Sequence, residues 1–490
     1  MNKSLKKNYI YNLIYQVIVI ILPIVTTPYI SRVLGAKNIG IYGYTLSISS
    51  YFVLFGSLGV SIYGQREIAY LHKSKEKYSK TFFEIFFMKC ITMLLSIIIF
   101  YIFFIFKSNK YSIFYMILIL DLISNLLDIS WFFQGLEEFK KIVLRNLVIK
   151  LISLISIFVF VKTKNDLIIY FLIYVLSNII GNLSLWLSIP KYVQRISIKK
   201  MDIFKHFKPT IIMFVPQIAI QIYTVLDRTM IGKIITDKSE VGFYTQGEKI
   251  IKLLLTIVSS LGIVMLPRIA KKFAEKDNET IKKYLYKSFN VTFLLSFPLI
   301  FGLVLISDSF VPIFFGSGYD KVSIIMKIIC PIILFIGVSG IIGYQYFLPT
   351  KHQKEYTISV IIGAISNFCI NILLIPKYGS IGAAFGTVIA EFIVAMVQIM
   401  ITKNFFDYKY VLKSNIKYLI VSVLMFIICY TINMIFNLKG SIHIIIDVII
   451  GGGFYFFALF IIHDELLCNT LDRLKLLGGK IHERKNKKST

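Results

Sequence analysis

Apolar stretches of about 20 to 26 residues with few charges recur along almost the whole chain, and no other feature limits its folding as much. A helix rises about 1.5 Å per residue and bilayer hydrocarbon is about 30 Å thick, so each stretch is long enough to cross once. Spans are read at 10–30, 40–62, 82–106, 111–134, 142–161, 167–189, 209–232, 242–266, 288–307, 322–347, 356–375, 380–402, 416–436 and 442–463. The runs are continuous and do not alternate in blocks of about ten, so they predict helices and exclude a barrel. The expected fold is an all-α integral membrane protein with about 14 transmembrane helices. Composition agrees: 57% of the 490 residues are hydrophobic and 16% charged, against roughly a quarter charged in soluble domains.

A net charge of +28 in a soluble protein would point to nucleic acid, so the placement of Lys and Arg decides its meaning. With the N-terminus inside, the stretches 1–9, 63–81, 135–145, 190–208, 267–287, 348–355, 403–417 and 464–490 face the cytoplasm and hold 37 of the 54 basic residues, whereas the outer loops hold 11. That bias sets both termini in the cytoplasm, requires an even number of spans, and makes nucleic acid an unneeded partner. Attraction to anionic lipid headgroups is a secondary consequence. Met1 to Lys7 followed by an apolar run resembles a signal peptide, but Thr26-Thr27-Pro28-Tyr29 is no small-residue cleavage site, so the segment reads as an uncleaved first helix. Cys90, Cys330, Cys369, Cys429 and Cys468 are scattered without the spacing of a disulfide framework or a zinc site. No metal is expected.

An internal repeat sets the organisation. Gly40-Ile41-Tyr42, Ser57-Leu58-Gly59-Val60 and Arg66 return as Gly242-Phe243-Tyr244, Ser260-Leu261-Gly262-Ile263 and Arg268, at an offset near 202 residues. The shift carries span 2 onto span 8, so two six-helix lobes of equal orientation are expected, residues 1–208 and 209–402, around a central cavity. Residues 403–490 would add spans 13 and 14 and a basic cytoplasmic tail. Pro23, Pro28, Pro209, Pro216, Pro298 and Pro331 predict bent helices of the kind that alternating access uses.

Ionisable groups at membrane depth cost several kcal/mol unless paired or hydrated, so each is a functional candidate. Asp121, Asn125 and Asp128 recur at helical spacing in span 4, with Trp131 continuing the face; Gln217, Gln221, Thr224 and Arg228 do the same in span 7, with Asp227 beside Arg228. Lys150 lies in span 5, Glu248, Lys249 and Lys252 open span 8, and Glu391 lies in span 12. Helix-to-helix pairing alone could account for any one of them, less readily for two whole stripes in register. No G-x-x-x-x-G-K-[ST] segment occurs, so transport would run on ion gradients, voltage or the substrate gradient, and no cofactor is expected. No Asp-Asp pair or large external loop suggests an enzyme.

The chain resembles the Wzx-type polysaccharide repeat-unit flippases, within the superfamily that includes multidrug and toxic-compound extrusion antiporters and lipid II flippases. The resemblance rests on Pro28-Tyr29-Ile30-Ser31-Arg32-Val33-Leu34-Gly35, Tyr63-Gly64-Gln65-Arg66-Glu67-Ile68-Ala69, Leu226-Asp227-Arg228-Thr229-Met230-Ile231-Gly232, Leu266-Pro267-Arg268 and Ile375-Pro376-Lys377-Tyr378-Gly379-Ser380-Ile381-Gly382-Ala383-Ala384. It implies a multi-pass protein of a bacterial cytoplasmic membrane that moves an undecaprenyl-pyrophosphate-linked oligosaccharide from the inner to the outer leaflet for capsule, exopolysaccharide or related polymers. A polysaccharide polymerase and other assembly proteins would be its partners. A pyrophosphate calls for cavity cations, and Arg32, Lys150, Arg228 and Lys252 are available; Asp121, Asn125, Asp128, Gln217, Gln221, Asp227, Glu248 and Glu391 would supply polar lining or ion coupling. A cation-coupled multidrug exporter using Asp121 and Asp128, a lipid II-type flippase and a membrane enzyme of glycan synthesis remain as alternatives.

Overall fold

The computed structural model describes residues 3–107, 110–197 and 201–468, and every regular element in it is helical. The basic tail from residue 469 onward lies outside the described residues. The α-helices are α1 (Lys3–Ser57), α2 (Val60–Leu71), α3 (Lys75–Tyr101), α4 (Ser112–Leu127), α5 (Ser130–Gly135), α6 (Phe139–Phe160), α7 (Leu167–Trp186), α8 (Ile189–Tyr192) and α9 (Phe207–Ile234). They continue with α10 (Ser239–Ala274), α11 (Asn278–Phe315), α12 (Asp320–Ile329), α13 (Ile332–Ser339), α14 (Gln353–Tyr378), α15 (Ser380–Thr402), α16 (Tyr408–Phe436), α17 (Gly440–Ile446) and α18 (Gly452–Ile461). Without water to bond to, backbone amides in hydrocarbon must pair within their own segment, and the apolar runs therefore become helices.

Among the described residues, 11 helices are long and apolar enough to cross a membrane, or 12 with a bent pair inside α10 taken as one span. The first of these, Ile21–Leu71, is 51 residues long. At about 1.5 Å per residue it is more than twice the depth of a bilayer. It is divided by Gly35, whose φ of 75° and ψ of 165° break α1 at a position that favours glycine.

The chain forms two compact units. The first comprises residues 1–246, 315–319 and 367–386; the second comprises 247–314, 320–366 and 387–490. In the first, Phe82, Trp131, Phe132 and Phe133 form a buried aromatic core, and Gly64 lets the Trp131 ring lie against α2, since a Cβ there would stand 2.4 Å from it. In the second, Phe289, Ile341, Tyr418 and Tyr455 are part of the core. Large apolar side chains such as Leu95, Leu183, Leu373 and Ile445 are exposed, as lipid-facing positions require.

Alternate loops meet at the same end of each unit. In the first unit, Tyr78 donates to the Tyr192 carbonyl (3.0 Å), Lys141 to the Tyr192 hydroxyl (2.8 Å), and the Gln194 amide to Ser79 (3.0 Å), which joins the stretches 63–81, 135–145 and 190–208. Elsewhere in that unit, Tyr29 donates to the Val161 carbonyl (2.7 Å) and Asn38 to the Lys164 carbonyl (2.6 Å). In the second unit the Asp407 amide donates to Tyr286 (3.0 Å) and Lys417 pairs with Asp464 (2.5 Å). The lysine-rich loops thus share ends, as an up-and-down bundle demands.

The repeat also has a physical counterpart within the first unit. A Cβ on Gly40 would lie 1.6 Å from the Lys238 carbonyl oxygen, and one on Gly242 would lie 2.1 Å from that of Ala36. Positions 36 and 238, like 40 and 242, differ by the repeat offset, so equivalent residues make reciprocal backbone contacts.

Candidate transport site

The span 7 stripe sits on one unbroken helix, α9. Thr229 on it donates to Ser47 (2.9 Å) and Tyr51 (3.2 Å), and Gly232 accommodates the Tyr44 ring, so α9 packs along the second half of α1. Gln217 donates to the Met213 carbonyl (3.0 Å) and stands against Gly59. Thr224 donates to the Gln221 carbonyl (3.0 Å). Gln217, Gln221 and Arg228 are half-buried, while Thr224 is exposed.

Asp227 is 5% exposed and its carboxylate is held in a cradle of neutral donors. Tyr244 donates to one oxygen (2.6 Å), and Asn371 (2.6 Å) and Asn367 (3.1 Å) donate to the other. The two asparagines lie one turn apart on α14 and bond each other (3.0 Å), which fixes both amides. Gly386 on α15 makes room for this, since a Cβ there would be 2.2 Å from the Asn371 Oδ1. Nearby, the Glu240 carboxylate accepts from the Ser380 amide (2.9 Å) and hydroxyl (2.6 Å) and so caps the positive end of α15. Asn367 and Asn371 carry no charge and lie far along the chain from Asp227, so neither stands out in the sequence as an ionisable group at membrane depth does.

The span 4 stripe is broken. α4 ends at Leu127, and Asp128 turns extended, with φ −70° and ψ 112°. The Asp128 carboxylate accepts from the Ser130 amide (2.9 Å) and hydroxyl, so it shapes the turn into α5. Trp131, expected to continue the stripe, is instead 2% exposed in the aromatic core. The end of α4 is capped by Lys89, a residue not singled out from the sequence, whose buried ammonium donates to the carbonyls of Asn125 (2.5 Å) and Asp128 (2.9 Å). A cation at a helix C-terminus satisfies carbonyls that have no helical partner. Asn125 itself donates to the Asp121 carbonyl (2.9 Å).

Asp121 remains buried and is hydrogen-bonded by Asn178 on α7. Tyr42 stands beside it, its ring edge-on to Tyr170 (4.9 Å), Phe171 (5.0 Å) and Tyr174 (5.8 Å). Asp121 and Arg228 both lie within electrostatic reach of Tyr42 on α1. Arg32 is exposed, and its stem packs on Gly316, where a Cβ would lie 3.0 Å from its Cγ. The preceding Ser31 is pinned by Gln246 (2.7 Å) and Tyr319 (2.9 Å), so the guanidinium leaves the chain three residues before the Gly35 break from a fixed base. Lys150 is half-buried on α6.

Lys252, Glu248 and Glu391 belong to the second unit. Glu248 is buried and pairs with Lys252 at 2.5 Å, one turn on, while Glu391 is buried on α15 near Tyr356. Among the described residues no three His, Cys, Asp or Glu side chains are grouped to hold a metal ion.

A second buried network, also not singled out from the sequence, closes the loop end of the first unit. Glu84 accepts from Lys205 (2.7 Å) and from the Asp202 amide (2.8 Å), and shares a hydrogen bond with His206 (3.0 Å), whose other ring nitrogen bonds Tyr63 (2.7 Å). Burial holds the His206 imidazole below its usual value, despite the pull of Glu84 in the opposite direction.

Two family descriptions match the chain: "Polysaccharide biosynthesis protein" over residues 5–273 and "Lipid II flippase MurJ" over residues 152–450. The chain belongs to the Wzx-type polysaccharide flippases. Within this family it is 25% identical over 407 residues to an Escherichia coli K12 protein named "Putative O-antigen transporter", covering 82% of this chain and 97% of that one. Its fold is that of the multidrug/oligosaccharidyl-lipid/polysaccharide exporter superfamily. A structure titled "Lipid II flippase MurJ, inward closed conformation" superposes with a TM-score of 0.76 at 20% identity, over 94% of this chain and 100% of that one. A multidrug resistance MATE family transporter in an inward-facing conformation gives 0.64 at 12% identity, over 78% and 93%. The flippase is a multi-pass integral membrane protein.

Proposed function

We propose that this flippase carries undecaprenyl-pyrophosphate-linked oligosaccharide repeat units from the inner to the outer leaflet of a bacterial cytoplasmic membrane, for capsule, O-antigen or exopolysaccharide synthesis. The observation that carries the reading is the likeness to an O-antigen transporter along 82% of the chain, joined to the polysaccharide family match. In this reading the chain crosses fourteen times with both termini in the cytoplasm. Two six-helix lobes, residues 1–208 and 209–402, enclose the cargo path, and residues 403–490 add the last two spans and the tail.

Arg32 and Arg228 are the cations assigned to the pyrophosphate, since a guanidinium matches two phosphate oxygens at once. Lys150 assists, while Lys252, engaged by Glu248, contributes less. Tyr42, in its aromatic group, offers a face to sugar rings. Asp227 is the coupling carboxylate: it is buried and held by Tyr244, Asn371 and Asn367, a place where a proton or small cation would change the charge of the interior. Arg228→Ala tests the assignment. Lipid-linked oligosaccharide should accumulate on the cytoplasmic leaflet at unchanged protein abundance, and normal flipping by a stable Arg32→Ala, Arg228→Ala double variant would remove both residues from the mechanism. Lipid II is the second candidate cargo, favoured by the MurJ family match over residues 152–450.

A further inference from the structure

In the second unit a cavity of about 560 Å³, lined by none of the residues assigned to the cargo, opens between the start of α11 and the turn joining α15 to α16. Its lining includes Lys282, Lys403 and Lys409, together with Tyr286, Phe405 and Tyr408. Lys282 is held over the Phe405 ring at 5.3 Å, and Tyr286 is fixed by the Asp407 amide at 3.0 Å. Asp407 is the one carboxylate in the lining, and it caps α16 by accepting from the Tyr410 amide (3.1 Å). Lys282 also pairs with Glu279, outside the lining, at 3.8 Å, so three ammonium groups stand against two carboxylates and the basin keeps a net positive charge.

An exposed apolar helix face adjoins the basin. Lys409 heads a helical face that continues through Leu412, Ile416 and Ile420, which are 61%, 48% and 52% exposed. An exposed apolar stripe on a membrane-spanning helix is a track for an acyl chain, and the aromatic rings beside the lysines mark the water boundary where headgroups lie. Cations at the boundary with an apolar track beneath match a phosphate joined to a hydrocarbon tail. They do not match a free anion, which would have no use for the stripe.

We propose that this basin is a binding site for the phosphate headgroup of an anionic membrane lipid, with Lys282, Lys403 and Lys409 as its cationic contacts and the Leu412–Ile416–Ile420 face as the seat of one chain. The assignment is independent of the cargo reading and would survive its failure. The test is native mass spectrometry of the detergent-purified full chain, titrated with dioleoylphosphatidylglycerol, with dioleoylphosphatidylcholine and with inorganic phosphate. One phosphatidylglycerol should be retained in preference to phosphatidylcholine, and equimolar inorganic phosphate should not displace it. The Lys282→Gln, Lys403→Gln, Lys409→Gln variant should weaken that retention on the order of tenfold, and the corresponding triple Arg variant should keep it. Equal retention of the two lipids, or a triple Gln variant that binds like the wild type, overturns the site. Displacement by inorganic phosphate makes it a soluble-anion site and overturns the lipid assignment. Should the triple variant not fold, Lys403→Gln and Lys409→Gln singly, both at exposed positions, carry the same comparison.

Discussion

Alanine at Gly40 would drive a methyl group into the Lys238 backbone in the turn before α10, and alanine at Gly242 would drive one into the Ala36 backbone of α1. The distances from the added Cβ to the facing carbonyl oxygens are 1.6 Å and 2.1 Å, whereas real Cβ contacts essentially never fall below 3.0 Å, so the segments must part by roughly 1.4 Å at Gly40 and roughly 0.9 Å at Gly242. Neither obstacle is a flexible side chain, so rotamer changes cannot absorb the clash. Overpacking of this kind costs about 1–3 kcal/mol, against which the better helix propensity of alanine returns at most about 1 kcal/mol. Gly40→Ala should stand at the upper end and Gly242→Ala below it. Gly452 supplies the control, since it is helical and a Cβ there meets nothing within 4 Å. The assay is thermal unfolding of the detergent-purified protein together with the yield of folded chain from membranes. The expected order of melting temperature is Gly452→Ala at or above wild type, then Gly242→Ala, then Gly40→Ala. A Gly40→Ala protein that melts with the Gly452→Ala control would refute the reciprocal contact and with it the structural basis of the repeat.

Further predictions concern topology, pH and coupling. In a background lacking the five native cysteines, Asn165→Cys and Lys439→Cys should react with an impermeant thiol reagent from outside intact cells, and Lys73→Cys and Asn278→Cys should not; outside labelling of Asn278→Cys reverses the orientation. Burial of Asp464 pushes its carboxyl up, but Lys417, the Leu467 amide and Tyr418 pull it further down, below the usual carboxylate range. Because the folded value is depressed, the stability this group contributes is full above the unfolded value of about 3.9 and is lost as pH falls through the folded value. The melting temperature of Asp464→Asn should therefore lie below wild type at pH 7, with the gap closing only under strongly acid conditions. Asp227→Asn should abolish the response of transport to an imposed ion gradient while the protein stays folded, and an unchanged response removes the carboxylate from coupling.

Much of the fold is legible in the sequence, because hydrocarbon leaves a chain few choices. Runs of 20 to 26 apolar residues become helices, and lysine-rich loops collect at shared ends. The site is less legible, for identifiable reasons. Gln217, Gln221, Thr224 and Arg228 lie on the continuous helix α9, as their spacing assumes, whereas at Asp128 a two-residue turn to Ser130 and the capping ammonium of Lys89 end α4. Local hydrogen bonding by Asp and Ser competes with helix continuation, and periodicity does not register that competition. Lys89 could have been found by applying to it the rule used for Lys150, since it too is an ionisable group in an apolar run. The cradle of Asp227 could not: its partners are neutral amides 140 and 144 residues away, and only the folded chain brings them to hydrogen-bonding distance. Glu84 lies in the third turn of α3 and His206 just before α9, near the edges of their apolar runs, where charge is unremarkable in sequence and its burial is visible only in three dimensions.

The central claim, that the chain flips lipid-linked oligosaccharide, is tested most directly by the leaflet in which that lipid resides. In cells depleted of the protein, the oligosaccharide can be labelled through its sugars with an impermeant reagent, in intact cells and in inverted vesicles. Flipping to the outer leaflet predicts that on depletion the label reachable from outside falls while the label reachable in inverted vesicles rises, and that wild-type chain restores both where the Arg32→Ala, Arg228→Ala variant does not. An unchanged distribution between the leaflets after depletion would contradict the account.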